Sequence, residues 1–160
     1  MNIYALSSGR GPSGIAIIRL SGKETIKIVE LISKKKNLNS KEVNFCKFYN
    51  PSNNTLIDEG LLLLFTTPNS FTGDDLAEFH IHGSNAVITL FLEVLSEQSN
   101  CRLAEAGEFT KIAFQNNKID LLEAESIGDL IHSETELQRQ QAIKLVQGNA
   151  SDYYNNLREK

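Results

Sequence analysis

Between Leu76 and Gln98 the hydrophobic period of the chain changes from two residues to 3.6, and no other feature constrains the fold as strongly. Over Leu76–Ile81 an extended chain places Ala77, Phe79 and Ile81 on one face and Leu76, Glu78, His80 and, one step on, His82 on the other. If the Phe79 face is the core, Glu78 and the two histidines look into solvent or a pocket. Over Ser84–Gln98 the residues Val87, Leu90, Phe91, Val94 and Leu95 recur at i, i+3, i+4, i+7 and i+8, which predicts an amphipathic helix. Strand and helix each have one apolar face to bury, so the expected architecture combines a sheet with flanking helices.

The segments before this window supply more strands. Asn2–Leu6 is short and apolar, and Gly14–Leu20 (GIAIIRL) is rich in β-branched residues. Ser21–Ser33 predicts a helix capped by Ser21, with Glu24 three positions on and Ile28, Leu31 and Ile32 inward. After the polar linker Lys34–Ser40, Val43–Tyr49 alternates as a strand. The turn-forming PSNNT of Pro51–Thr55 leads to a returning strand, Gly60–Phe65, whose leucines predict burial on both faces. TPNS and TGDD, between Thr67 and Asp75, are turn chemistry.

Beyond the amphipathic helix, Cys101–Leu103 reads as a short strand. Glu108–Gln115 reads as a helix with Phe109, Ile112 and Ala113 on one face, ended by Asn116-Asn117. Asp120 caps a further helix with Leu121, Ala124, Ile127 and Ile131 inward. Thr135–Lys160 predicts a long third helix whose stripe of Ala142, Leu145, Val146, Ala150, Tyr153, Tyr154 and Leu157 runs to the last residue without a C-cap. That stripe predicts either a truncated chain or a face that needs a partner. The fold class is therefore α+β: a mixed sheet with flanking helices over 1–118, followed by the start of an all-helical domain over 119–160.

Composition excludes several classes. The 16 Lys and Arg against 20 Asp and Glu leave a net charge of -4, which gives no global attraction for polyphosphate. Seven lysines against three glutamates in Lys23–Lys47, and eight acids against two lysines in Glu105–Glu136, read as solvated faces. Cys46 and Cys101 stand 55 positions apart with no CxxC, which reads as two reduced thiols of a cytoplasmic protein. MNIYALSS lacks a basic leader region, and the longest apolar run is Leu61–Phe65, so neither secretion nor membrane spanning is expected.

Three motifs bear on chemistry. Gly9–Gly14 (GRGPSG) is formally GxGxxG, but Pro12 and the β-branched run behind it predict strand-loop-strand, where a dinucleotide fingerprint needs a helix. His80 and His82 supply half of a zinc site at most, and Cys46, Cys101 and His132 are isolated as further ligands. Arg19, Glu78 and Lys118 form the third set: a carboxylate can grip a planar donor edge, while Arg and Lys answer the acidic end of a ligand. Each of these alone also reads as an ordinary surface charge.

The blocks GRGPSGIAIIRLSG, PNSFTGDDLAEFHIHG and RLAEAGEFTKIAFQNNKIDLLEAESIGDLI, in this order and covering nearly the whole chain with the strands and helices between them, resemble the N-terminal part of the tRNA-modification GTPases of the MnmE (TrmE) family. Departures from the family pattern are local. Ala106 stands where Pro is usual, Ile112 where Arg is usual, Asn117 where Gly or Asp is usual, Glu123 where Gln is usual, and Ser84 where a second Gly follows His82-Gly83. The resemblance implies a domain similar to the tetrahydrofolate-binding domain of aminomethyltransferases, which binds 5-formyl- or 5,10-methylene-tetrahydrofolate and forms a homodimer. It places the family's folate contacts on Arg19, Glu78 and Lys118, with no catalytic residue in this part. The same resemblance implies a helical domain carrying an inserted GTPase domain, which uses GTP, Mg and K. It also implies action with the FAD-dependent partner MnmG (GidA) at carbon 5 of the wobble uridine of tRNA. GxxxxGK[ST] occurs nowhere in the chain, nor does the family's Cys-containing tail, so GTP hydrolysis by this chain is not expected. Two alternatives stand beside this reading: a stand-alone folate-dependent aminomethyltransferase, and a non-catalytic dimerisation module.

Overall fold

The computed structural model describes residues 1–9 and 11–147. Ala150, Tyr153, Tyr154 and Leu157 of the expected helical stripe lie outside the described residues. The elements in chain order are β1 (Asn2–Leu6), β2 (Ser13–Ser21), α1 (Thr25–Ser33), β3 (Val43–Tyr49), β4 (Leu56–Phe65), β5 (Leu76–Gly83), α2 (Asn85–Ser96), β6 (Cys101–Leu103), α3 (Glu108–Gln115), α4 (Leu121–Ile131) and α5 (Glu136–Val146). The class is α+β. The chain divides into two compact units, Met1–Phe109 and Thr110–Lys160.

The first unit is built on a mixed six-stranded sheet in the order β3-β4-β5-β2-β1-β6. Neighbours are antiparallel except β1 and β6, which run parallel in the register Ile3 to Arg102. β2 follows β1 as its antiparallel neighbour, and among the described residues between them no helix opens, in keeping with Pro12 and the β-branched run. Helices α1 and α2 both pack on the Phe79 face, where Ile28, Val29, Ile32, Phe91, Val94 and Leu95 join Ile18, Leu20, Leu62, Leu64, Phe79 and Ile81 in one core. At its centre Phe48, Phe79 and Phe91 meet with ring centroids 4.9–5.5 Å apart, two of the three pairs edge-to-face.

Several local expectations change. Ser21 does not cap α1: it ends β2, buried, its hydroxyl sharing a 2.7 Å bond with Thr72 Oγ1 and donating to Asp75 O at 3.1 Å. The first turn of α1 is met instead from β1, where Asn2 Oδ1 accepts from Glu24 N at 3.0 Å. Gly22 makes that approach possible, with φ +143 and a position at which a Cβ would lie 2.2 Å from Asn2 Oδ1. On α1 Val29, not Leu31, turns inward with Ile28 and Ile32, and Leu31 stays exposed.

The leucines of β4 are buried on one face only: Leu62 and Leu64 enter the core while Leu61 stays 40% exposed. Both helices cover the same side of the sheet, so the other side of β4 has no layer upon it within this unit. On α2, Ser84 accepts from Val87 N as N-cap, and Ile88 joins the stripe as a buried residue while Val87 packs partly buried against the core.

In the second unit Asp120 and Glu123 form a reciprocal capping box at the start of α4, and Thr135 with Gln138 repeats it on α5. α4 and α5 pack on each other. Leu121 and Ile131, expected inward, are 59% and 74% exposed, and the buried residue of α4 is Ser126, whose hydroxyl donates to Leu122 O at 2.6 Å. Among the described residues no helix is long and apolar enough to cross a membrane.

Candidate functional site

The uncovered face of the sheet carries the polar residues that the alternation of β5 exposes. Ala77, Phe79 and Ile81 go into the core, so Glu78 and His80 project the other way, each only partly exposed. Arg19 on β2 pairs in register with Glu78 on β5, and Ile17 with His80. The register turns a separation of 59 positions into contact: Arg19 Nε donates to Glu78 Oε1 at 2.8 Å. The other carboxylate oxygen faces His80 Nε2 at 3.5 Å.

Arg19 and Glu78 are therefore partners of each other, not two isolated charges. With Arg19 38% and Glu78 16% exposed at the side chain, water screens the pair, and such contacts contribute about 0–1 kcal/mol. Its value as a stabiliser is small. As a binding device it offers more: each carboxylate oxygen keeps a further acceptor direction for a planar donor edge, and Arg19 engages Glu78 through Nε.

Lys118 belongs to the second unit. It follows Asn117, whose φ of 53 turns the chain out of α3, and its backbone N–H donates to Ala113 O at 2.8 Å; its side chain is exposed. In the first unit Arg102 forms a two-bond ion pair with Glu108 at the start of α3, one bond being Nη1 to Oε2 at 2.9 Å. Glu105 N donates to the same Oε2 at 2.8 Å.

The loop before β5 is stitched internally. Thr67 N donates to Asp75 Oδ1 at 2.8 Å, Thr67 Oγ1 donates to Gly73 O at 2.8 Å, and Gly73 N donates to Ser70 Oγ at 2.9 Å. With Thr72 buried against Ser21, the entry to β5 is fixed to β2, and with it the height at which Glu78 meets Arg19.

One residue that sequence reasoning missed is Asp58. Its carboxylate accepts from His82 N at 2.7 Å and bonds His82 Nδ1 at 2.9 Å. Burial pushes the Asp58 carboxyl up, but the backbone and ring bonds from His82 and the backbone bond from Glu59 outweigh it and hold it below the usual carboxylate range. The available signal was the acidic pair Asp58-Glu59 inside an otherwise apolar strand. His82 itself is 70% exposed, and no group of three or more metal-ligating side chains stands together among the described residues. Cys46 and Cys101 are free thiols, both pushed up by burial.

Comparison with known proteins gives this geometry its family. Residues 2–118 match the family model described as "GTP-binding protein TrmE N-terminus". The chain is 55% identical over 160 residues to the tRNA modification GTPase MnmE of Pelagibacter ubique, covering 100% of this chain and 36% of that protein. It is 41% identical over 158 residues to the MnmE of Rickettsia typhi, with 99% and 36% covered. It is also 42% identical over 163 residues to the mitochondrial tRNA modification GTPase gtpbp3 of Dictyostelium discoideum, with 98% and 32% covered. The chain thus spans about a third of the length of the curated relatives it matches. With a family model matched over most of its length, and the β1–β5 scaffold and α3 all inside the matched residues, the chain belongs to the TrmE N-terminus family, the N-terminal part of tRNA modification GTPases.

Proposed function

We propose that this chain is the folate-binding and dimerisation part, residues 1–118, with the start of the helical domain, residues 119–160, of a cytoplasmic GTPase that installs a 5-carboxymethylaminomethyl-type group on the wobble uridine of tRNA. The ligand is a reduced one-carbon folate, 5-formyl- or 5,10-methylene-tetrahydrofolate, bound by a domain similar to that of aminomethyltransferases. The observation that carries the reading is the Arg19–Glu78 pair, 2.8 Å apart on the uncovered face of the sheet. The guanidine-like edge of a pterin donates in parallel and suits the Glu78 carboxylate, while the carboxylates of the folate tail suit Arg19 or Lys118. GTP with Mg and K, the FAD-dependent partner MnmG and the tRNA are assigned to the whole protein, of which this chain contains no P-loop.

Calorimetric titration with 5-formyltetrahydrofolate tests the binding. Saturable heat is expected, weakened at least about ten-fold in Glu78→Ala and in Arg19→Ala, the loss of a charge-assisted bond. No saturable heat, or parental affinity in both variants, refutes the folate reading. Sedimentation tests the homodimer, and a monomer at every concentration refutes it.

A further inference from the structure

The six-stranded sheet has two edges, β6 and β3, and each offers backbone N–H and C=O groups to any further strand. β6 is a poor template. It is three residues long, and Arg102 Nη1 donates to the Leu103 carbonyl at 3.1 Å. β3 is the opposite case: its seven residues, VNFCKFY, run along the far edge, with Val43 63% and Phe45 61% exposed. A long edge carrying uncovered apolar and aromatic side chains is the kind of strand that pairs with a second copy of itself.

The register fixes which backbone groups of β3 face outward. Leu64 O accepts from Lys41 N at 2.7 Å on the approach to β3, so Leu64 and, by alternation, Leu62 and Gly60 direct their backbone towards that strand. Their partners Asn44 and Cys46 bond inward, and Val43, Phe45 and Lys47 turn their N–H and C=O groups to the outside. The end of α1 stands beside this row. Lys34, its C-cap, bends the chain at φ 56, and Ser33 Oγ accepts from Lys35 N at 3.2 Å. Both lysines then reach over the edge. Lys35 Nζ donates to Phe45 O at 2.6 Å, while Lys34 Nζ bonds Asn54 Oδ1 and stands 3.9 Å from the centroid of the Tyr49 ring. Lys47, exposed on β3 between Phe45 and Tyr49, adds a third charge. A strand approaching this edge would have to displace Lys35 from a charge-assisted bond and desolvate ammonium groups, and a second copy would bring the same charges against them.

We propose that Lys34 and Lys35 form a strap that closes the β3 edge to strand pairing with a second copy of this chain. The strap gives two residues of the lysine-rich segment a task beyond solvation. It uses neither Arg19, Glu78 nor Lys118, so it stands apart from the folate assignment. It also bears on where a homodimer forms: association of the native chain leaves the outward amides of β3 unpaired.

The test measures residue-by-residue amide exchange and sedimentation of the full chain and of the double variant Lys34→Met with Lys35→Met, which keeps the apolar stems and removes both charges. In the parent, whatever its oligomeric state, the Phe45 and Lys47 amides are expected to exchange fast and those of Asn44 and Cys46 slowly. In the double variant, species larger than the parent's are expected to appear with concentration, and exchange at Phe45 and Lys47 to slow at least about ten-fold as they do, the loss of a charge-assisted bond. Lys35→Arg, which keeps charge and donor, and Lys36→Met, which removes a neighbouring charge, are each expected to behave as the parent. All three lysines are exposed, so the variants should keep the parental amide spectrum when dilute. Slow exchange at Phe45 and Lys47 in the parent overturns the proposal, since the edge would already be paired. So does a double variant that sediments like the parent or associates without slowing at those two amides, and so does equal association by Lys36→Met. A monomeric parent with the exchange pattern as expected would sink the homodimer reading and leave the strap standing.

Discussion

Gly60→Ala is the sharpest probe of how the sheet is closed around its polar face. Gly60 sits in β4 opposite Cys46 of β3, one residue before the Leu61–His80 pair that joins β4 to β5. An added Cβ would lie 2.0 Å from His80 O and 3.1 Å from its carbon, and real Cβ atoms essentially never come closer than 3.0 Å. The strands must therefore part by about 1 Å, and the obstacle is backbone, which cannot swing away as a side-chain tip can. Overpacking of this kind costs about 1–3 kcal/mol, and the one or two ladder bonds stretched beside it about 1 kcal/mol each. The narrower unfolded ensemble of Ala returns about 0.4–1 kcal/mol. The net expectation is a loss of about 2–3 kcal/mol, or about 10 °C in melting temperature for a unit of this size. Gly14→Ala is the matched control: Gly14 is also a strand glycine, in β2, but a Cβ there meets nothing within 4 Å and its φ is not left-handed, so its effect should stay within about 0.5 kcal/mol. Urea unfolding of the two variants reads the difference as a fall in midpoint for Gly60→Ala alone. Equal stability of the two, or a Gly14→Ala loss as large as that of Gly60→Ala, would refute the close-approach argument.

The remaining expectations are simpler. Asp58 is held below the usual carboxylate range in the fold, so its bonds stabilise fully above the unfolded value and are lost as pH falls through the folded one; urea midpoints of Asp58→Asn should therefore converge with the parent's on acidification and lie below them at neutral pH. Asp120→Ala removes the N-cap of α4 and should lower helical content there, for about 1 kcal/mol, seen as faster amide exchange over Leu121–Ala124. Cys46, 1% exposed, should resist a thiol reagent in the native state while half-buried Cys101 reacts first, each more slowly than a free thiol because burial pushes both up. Adjacent residues of β5 should behave oppositely: Phe79→Leu, which loses two aromatic contacts worth about 0.5–1.5 kcal/mol each, lowers stability, whereas Glu78→Gln leaves stability within about 1 kcal/mol and weakens folate binding in calorimetry.

The class and element order were legible because two periodicities dominate the chain, and a half-buried strand or an amphipathic helix announces itself whatever lies around it. Which residue of a stripe turns inward was less legible. Val29 replaces Leu31, and Ile88 is buried beside Val87, since the choice between neighbouring positions on a helix is made by the shape of the sheet beneath it. The leucine run of β4 misled for a related reason. Continuous apolar sequence marks a strand buried on both faces only when layers lie on both, and here α1 and α2 share one. Ser21 misled because a Ser three residues before a Glu matches a capping box locally, while the Asn2 side chain that meets Glu24 comes from 22 positions away.

The candidate site divides along the same line between parity and register. Alternation alone puts Glu78, His80 and His82 on the face opposite Phe79, because side chains of a strand must alternate. What alternation cannot say is which residue of which other strand stands opposite. Arg19 reaches Glu78 through the β2–β5 register, and Asp58 reaches His82 across 24 positions from β4. Register is set by the whole set of buried partners, since a slip by one would turn Phe79 and Ile18 to solvent and bring Glu78 into the core. The hydrophobic core on one side of the sheet thus holds the ion pair and the oriented imidazole on the other. Polar groups on this face need little binding energy among themselves to stay in place, and their free acceptor directions remain available to a ligand.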